Sequence, residues 1–410
     1  MKYIANRIKI GLLLAFSAMM VLSSCNKDVE QLPLPAYVAP AGPALGESIA
    51  ATADDSLYYK LIIKSGLLTT MNTKTNTFTM FVPNNAAMRS FINLISGGAT
   101  VGYTDAQYVA FINSAAVTTA TAAGIVSYNM IPQSIMIASV PSTFPNWFYP
   151  TNLNPTSGST FNPLVRLTTS PSTRNGNWLN NVPIVAVNTI VANGIIHTTG
   201  AVAAPPSQFI WDRINTDADM TYLKAAIQRA DSGVSITTSA SLQWALSNLG
   251  PNLNVFSPTN AAFVATLTAQ ITAALIAQGV PPATAAAQAA VLASTPGVFS
   301  NPALYGSLTA ATVKGIVVYH LMGARAFTNN FPTTATAYPT LLNGGIPTHP
   351  GVTLTAVFTG GVVTSATVKG VANASAATIA LNPLPTPLGT SDQHFINGTL
   401  HKINQVLLPQ

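Results

Sequence analysis

A short pattern that occurs twice, in the same order, constrains this chain more than any other feature. From Phe78 to Met88 the sequence runs FTMFVPNNAAM, and from Asn254 to Phe263 it runs NVFSPTNAAF. In the first copy Phe78, Met80 and Val82 alternate with Thr79 and Phe81, which predicts a short buried strand. Pro83 and Pro258 lack the N–H a strand needs and should end it, while Asn85 and Asn260 are the expected N-caps of the helices that follow. Each copy has a companion downstream: VANGIIHTTGAV from Val191 to Val202, and INGTLHKINQVLLP from Ile396 to Pro409. The chain is therefore expected to be built twice.

This ordered pair of boxes resembles the fasciclin domain, an extracellular adhesion and binding module that opens with a strand-Pro-Thr-Asn box and closes with an Asn-Gly-x-x-His strand. The resemblance implies an α+β chain with two tandem fasciclin-like domains, at 47–204 and 205–410. Each would be a small antiparallel β-sandwich or wedge with helices packed on one side, and Pro205-Pro206 would mark the boundary. The family's central Tyr-His segment is similar to Tyr319-His320 in the second repeat. In the first repeat Asn129 stands where the His would be, after Tyr128. The resemblance makes Tyr319 and His320 candidate ligand-binding residues; the competing reading is a largely buried segment whose His bonds to backbone.

Ahead of the repeats lies a targeting segment, residues 1–24. Lys2, Arg7 and Lys9 form its basic start, and Ile10 to Leu22 its apolar core, shorter than the about 20 residues a spanning helix needs. Leu22-Ser23-Ser24-Cys25 resembles the lipobox of bacterial lipoproteins, which implies a lipid anchor on Cys25, the chain's single cysteine. No intramolecular disulfide is then possible. The run Asn26-Lys27-Asp28-Val29-Glu30 resembles the surface-export signal of Bacteroidetes lipoproteins, so the expected location is the outer membrane, facing outward. Residues 25–46 are Pro-rich and read as a semi-rigid stalk. Without the targeting segment the 17 Lys and Arg fall to 14, against 11 acidic residues. They form no basic cluster, and nucleic acid is not an expected partner. Charged residues make up 7% of the chain, far below the roughly 25% of ordinary soluble domains. Such a surface suits an exported protein better than a cytoplasmic enzyme.

Along the repeats, the spacing of apolar residues predicts helices over 54–65, 86–95, 104–114, 209–214 and 222–230, the last with Asp219 as N-cap. An Ala-rich pair over 265–294 is broken at Pro281-Pro282, and its weak hydrophobicity argues against a membrane-seeking role. Strands are expected over 165–169, 182–191, 352–358, 362–370 and 377–382.

Three residue groups could carry chemistry. Trp147, Phe148, Tyr149 and Trp178 stand in an irregular stretch, 141–181, and read either as an aromatic platform for a sugar or peptide or as rings that pin a long loop. If Asn397-Gly398 form a type I′ turn, His394 faces His401 across the hairpin, with Asp392 on the same face as a third candidate metal ligand. The same arithmetic sets Ile190 opposite His197, so only His394 is an addition, and neither metal nor cofactor is expected. No Gly-x-Ser-x-Gly elbow, converging carboxylate pair or phosphate-binding loop is present, and no catalysis is expected. The function that follows is non-catalytic adhesion or binding to a surface protein or polymer. The alternative is an accessory glycan-binding lipoprotein of a nutrient-uptake system.

Overall fold

The computed structural model describes residues 40–154, 165–382 and 389–410. The targeting segment, Cys25 and most of the expected stalk lie outside them. Leu45 and Gly46, the last residues assigned to the stalk, are already helical and buried.

The first half begins with α1 (Leu45–Ala51), α2 (Ser56–Ser65) and α3 (Leu68–Asn72), then β1 (Phe78–Pro83). Gly66 ends α2 in the left-handed region, at φ 75°, where a Cβ would be strained. After β1 come α4 (Asn85–Ile95), α5 (Asp105–Asn113) and α6 (Thr119–Tyr128). A series of strands completes it: β2 (Met130–Ile131), β3 (Tyr149–Pro150), β4 (Thr168–Thr169), β5 (Pro171–Ser172), β6 (Trp178–Leu179), β7 (Val182–Val191) and β8 (Gly194–Thr199). The second half repeats the plan. Helices α7 (Ile210–Thr216), α8 (Thr221–Ala230) and α9 (Leu242–Ser247) precede β9 (Leu253–Pro258). Next come α10 (Asn260–Ala277), α11 (Pro282–Leu292) and α12 (Ala310–Tyr319). The closing strands are β10 (Leu321–Met322), β11 (Thr336–Tyr338), β12 (Val352–Thr359), β13 (Val362–Lys369), β14 (Ala377–Thr378), β15 (Gln393–Phe395) and β16 (Gly398–Ile403).

The two boxes meet in each half. β1 lies parallel to β8, with Phe78 beside Gly194 and Phe81 beside His197. β9 lies parallel to β16 in the same manner, with Leu253 beside Gly398 and Phe256 beside His401. The two sheets that hold the boxes are thus mixed, because the long connection from box to closing strand returns the chain in the same direction, whereas β11 to β14 form an antiparallel sheet as expected. All six residues of β1 and of β9 are buried, so the alternation read in the sequence does not mark a solvent face. Helices cover one side of each central sheet, and strands and loops cover the other. In the first half Leu61, Met80 and Ile125 belong to the helical-side core, and Phe81, Tyr128 and Leu179 to the opposite one. In the second half the same two layers contain Val255 with Phe263, and Phe256 with Leu354.

The box asparagines are displaced from their expected role. The N-caps of α4 and α10 are Asn84 and Thr259, whose side chains accept from Ala87 N and Ala262 N. Asn85 and Asn260, one residue inside, tie each helix to an earlier one. Asn85 Oδ1 accepts from Leu57 N and its Nδ2 donates to Ala53 O. Asn260 Oδ1 accepts from Tyr222 N and its Nδ2 donates to Ala218 O. Asp219 likewise does not cap α8; its carboxylate accepts from Asn260 N. The Ala-rich region is two helices, as the prolines predict. It is more apolar than expected: α10 has a mean hydropathy of 1.5, long and apolar enough to cross a membrane by length and composition, and it packs within this domain.

Candidate functional site

The closing hairpins decide the histidine chemistry. A type I′ turn at Asn397-Gly398 would place His394 opposite His401, but the observed pairs are Phe395 with Gly398 and His394 with Thr399. The turn residues are Ile396 and Asn397, neither with positive φ. In the first half Val191 pairs with Gly194, so the turn is Ala192 and Asn193. A physical reason is visible in both. A Cβ on Gly194 would lie 1.9 Å from Phe78 O, and one on Gly398 1.9 Å from Leu253 O. These glycines let the closing strand lie against the box strand instead of making the turn. The turn asparagines are pulled inward: Asn193 Oδ1 accepts from Leu45 N, and Asn397 Oδ1 from Ile210 N.

With that register, His197 and His401 become structural twins. Nδ1 of His197 accepts from Asn188 N, and Nδ1 of His401 from Asp392 N. Both donors are left-handed, with φ 60° and 50°. A backbone N–H only donates, so each Nδ1 is bare and Nε2 carries the proton, donating to Ile135 O in one half and Ala326 O in the other. Each ring stacks on the box aromatic beside it, Phe81 or Phe256. Burial holds both imidazoles below the ordinary value and neutral.

Asp392 does not complete a metal set. Its carboxylate accepts from Thr328 N at 2.7 Å and Thr328 Oγ1 at 2.6 Å. It approaches His401 Nδ1 at 3.8 Å, but that nitrogen already accepts the Asp392 N–H. Among the described residues no three His, Cys, Asp or Glu side chains are grouped to hold a metal ion.

His394 turns instead toward the first half. Arg325, fully engulfed, donates from its guanidinium to His394 Nε2, to Asn252 Oδ1 and to Ile396 O. Because arginine only donates, the His394 proton is on Nδ1, 3.1 Å from Tyr128 Oη. Tyr128 Oη also accepts from Asn180 Nδ2 and donates to Thr168 O. Each guanidinium nitrogen of Arg325, both ring nitrogens of His394 and the Tyr128 hydroxyl thus have a partner. Burial, followed by the Arg325 charge, lowers His394 well below its ordinary value. Burial also raises the Tyr128 phenol to about 12 against a smaller opposing pull from Arg325, and lowers Arg325 to about 10. Around the relay, Asn146 N donates to Arg325 O and Asn146 Oδ1 accepts from Phe327 N. Asn175 Nδ2 reaches Asn329 O and Phe331 O.

The Tyr-His segment is buried and engaged. Tyr319 donates to Gly351 O and accepts from Val371 N. His320 donates from Nδ1 to Ile316 O and accepts at Nε2 from Leu407 N, and burial lowers it to about 4. In the first half Asn129 makes the matching bond to Ile125 O, and its amide then donates to Ala203 O. His349 is held as firmly, by Pro409 O and Gly351 N. All five histidines thus have both ring nitrogens engaged.

The aromatic group is split. Trp147 and Phe148 are exposed, 62% and 45%, with rings 6.5 Å apart and 20° from parallel. Tyr149 is half-buried, and Trp178 is buried with its indole donating to Asn175 O. The structure therefore gives an exposed pair, not a four-ring platform. Sequence reasoning missed Arg325 and the asparagines around it. The available signal was a lone arginine within the apolar run GIVVYHLMGARAF.

The fold and these paired staples define an α+β chain built of two similar halves. The model of the fasciclin domain family matches residues 54–205. Among solved structures, the chain is similar to a FAS1 domain pair from the insect cell adhesion molecule fasciclin I. The identity is 13%, with 86% of this chain and 95% of that chain covered and a TM-score of 0.31. No curated protein gives a significant match.

Proposed function

We propose that this chain is a non-catalytic adhesion or binding protein of the cell exterior, anchored through a lipid on Cys25 in the outer membrane and recognising a surface protein or polymer. The observation that carries the non-catalytic part is the engagement of every histidine nitrogen. A general base or metal ligand needs a free one, and here each is held by backbone or by the relay. The fasciclin match over 54–205 supports the surface-protein part. The test is adherence of cells displaying the full chain, compared with cells bearing a Cys25→Ala variant and with added soluble chain as competitor. Adherence that disappears with the variant and with the competitor is the expected result. Adherence equal to that of cells without the protein would reject the reading.

A second reading, an accessory glycan-binding lipoprotein, is favoured by the exposed near-parallel pair Trp147 and Phe148. Saturable polysaccharide binding that falls at least tenfold in a Trp147→Ala, Phe148→Ala double variant would establish it. Trp178 is left out of that variant, because removing a buried ring would test folding instead.

A further inference from the structure

We propose that the second half also carries a binding site for an uncharged, chain-like apolar molecule, of the class of long-chain alcohols and neutral acyl lipids. A cavity of about 520 Å³ lies between α8, α10, α12 and the turns at Pro296–Ser300 and Pro302–Leu304. That volume is within the roughly 300–1,000 Å³ of small-molecule sites. It far exceeds the voids of an ordinary core, which close to nearly crystalline density.

Its walls are hydrocarbon: Leu267, Ile271 and Leu275 from α10, with Phe299, Leu304 and Val317 opposite. Phe263 braces one end, stacked on Tyr222 and edge-on to Phe299. Water gains little in such a space, and apolar cavities of this kind stay dry or take apolar guests.

The lining runs along α10 from Phe263 to Gln278, about 20 Å at the helical rise. The space is therefore long relative to its volume, with room for one hydrocarbon chain. α10 itself points the same way. It has 18 residues where α4 has 11, and its buried residues Ala262, Phe263, Leu267 and Ile271 all lie in its first two-thirds. Only 22% of this apolar helix is buried, whereas a helix apolar on most sides is normally covered. Ala274 and Leu275, beyond the last fully buried residue Ile271, line the cavity.

No Lys, Arg, Asp or Glu lines the space. Its one ionisable side chain, His320, has both nitrogens engaged. A carboxylate or phosphate would find no counter-charge, whereas the exposed amides of Gln270 and Gln278 and the Ser307 hydroxyl suit an alcohol or ester.

The test uses the full chain, stripped of lipid, with radiolabelled 1-hexadecanol and palmitate as separate probes at pH 8. Three variants accompany it: Ala274→Trp and Ser307→Trp, which fill the cavity from opposite walls, and Ala269→Trp, exposed on the same helix but outside the lining. We expect one 1-hexadecanol per chain, at least tenfold weaker binding in both filling variants, unchanged binding in Ala269→Trp, and palmitate at least tenfold weaker than the alcohol. Circular dichroism identifies a filling variant that fails to fold, and the other then decides. No saturable binding by the native chain, equal loss in Ala269→Trp, or palmitate binding as tight as the alcohol overturns the proposal. None of these outcomes depends on adhesion.

Discussion

The histidines show what a buried titratable group contributes when it is neutral. His197, His320, His394 and His401 are all held below their ordinary value, chiefly by burial. Below about pH 6.5 the unfolded chain takes up protons that the folded chain refuses, so stability rises with pH in that window and falls on acidification. Each group contributes up to about 1.4 kcal/mol per pH unit between 6.5 and its folded value, for His320 down to about 4. Asp55 works in the opposite sense. Burial and the neighbouring Asp54 raise it to about 6, so its neutral form favours folding at low pH and that contribution is lost as pH rises from about 4 to 6. Four histidines outweigh one buried carboxyl. Thermal unfolding midpoints should therefore drop by several degrees from pH 8 to pH 5, and a rise would refute the assignment of these four imidazoles as neutral. His320→Asn, copying Asn129, should keep the bond to Ile316 O and lose the acceptor for Leu407 N. It should cost about 1–2 kcal/mol at pH 8 and flatten the pH profile.

Secondary-structure elements are tied to one another by the amides of the repeated boxes. Asn85 holds the start of α2 to the start of α4, and Asn260 does the same for α8 and α10. Asn85→Ala should lower stability by about 1–3 kcal/mol in chemical denaturation, because Leu57 N and Ala53 O lose their partners. Asn84→Ala should cost about 1 kcal/mol as a lost cap. If Asn85→Ala cost no more than Asn84→Ala, the tie from Asn85 to α2 would contribute less than its two bonds imply. The strand junction is stricter. Gly398→Ala places a methyl on Leu253 O and should destabilise by more than about 2 kcal/mol, readable as a lowered denaturation midpoint. The elements themselves were legible: β7 spans Val182–Val191 as its alternation indicates, and α11 begins at Pro282. The register of the closing hairpins was not, since an Asn-Gly pair signals a turn but not whether its glycine turns the chain or meets a neighbouring strand.

Between the two halves, the molecule is joined by polar side chains rather than by an apolar face alone. The relay Arg325, His394, Tyr128 crosses from one half to the other, Asn175 crosses back, and Ile396 enters the first half's core. Tyr128→Phe strands the His394 Nδ1–H and the Asn180 amide in a buried setting, at a cost of about 1–3 kcal/mol. Combined with Asn175→Ala, it should lower the midpoint by several degrees and split one calorimetric transition into two. A single transition in the double variant would show that the remaining contacts couple the halves without the relay.

What local chemistry alone could announce, it did: two repeats, their strands and most helices, the α+β class, and the reading of Tyr319-His320 as a buried, backbone-bonded segment among its alternatives. The strands and helices follow from periodicity, proline and glycine, which act over a few neighbouring residues, whereas the α+β class and the Tyr-His reading came with the family resemblance of the repeated boxes. The parallel pairing of box and closing strand, the true caps, the His394 partner, the buried Arg325 and the cavity beside α10 were settled by the packed chain. Each depends on groups far apart in sequence, such as Tyr128 and His394, that meet only when two halves pack, and nothing in either neighbourhood encodes the other's position.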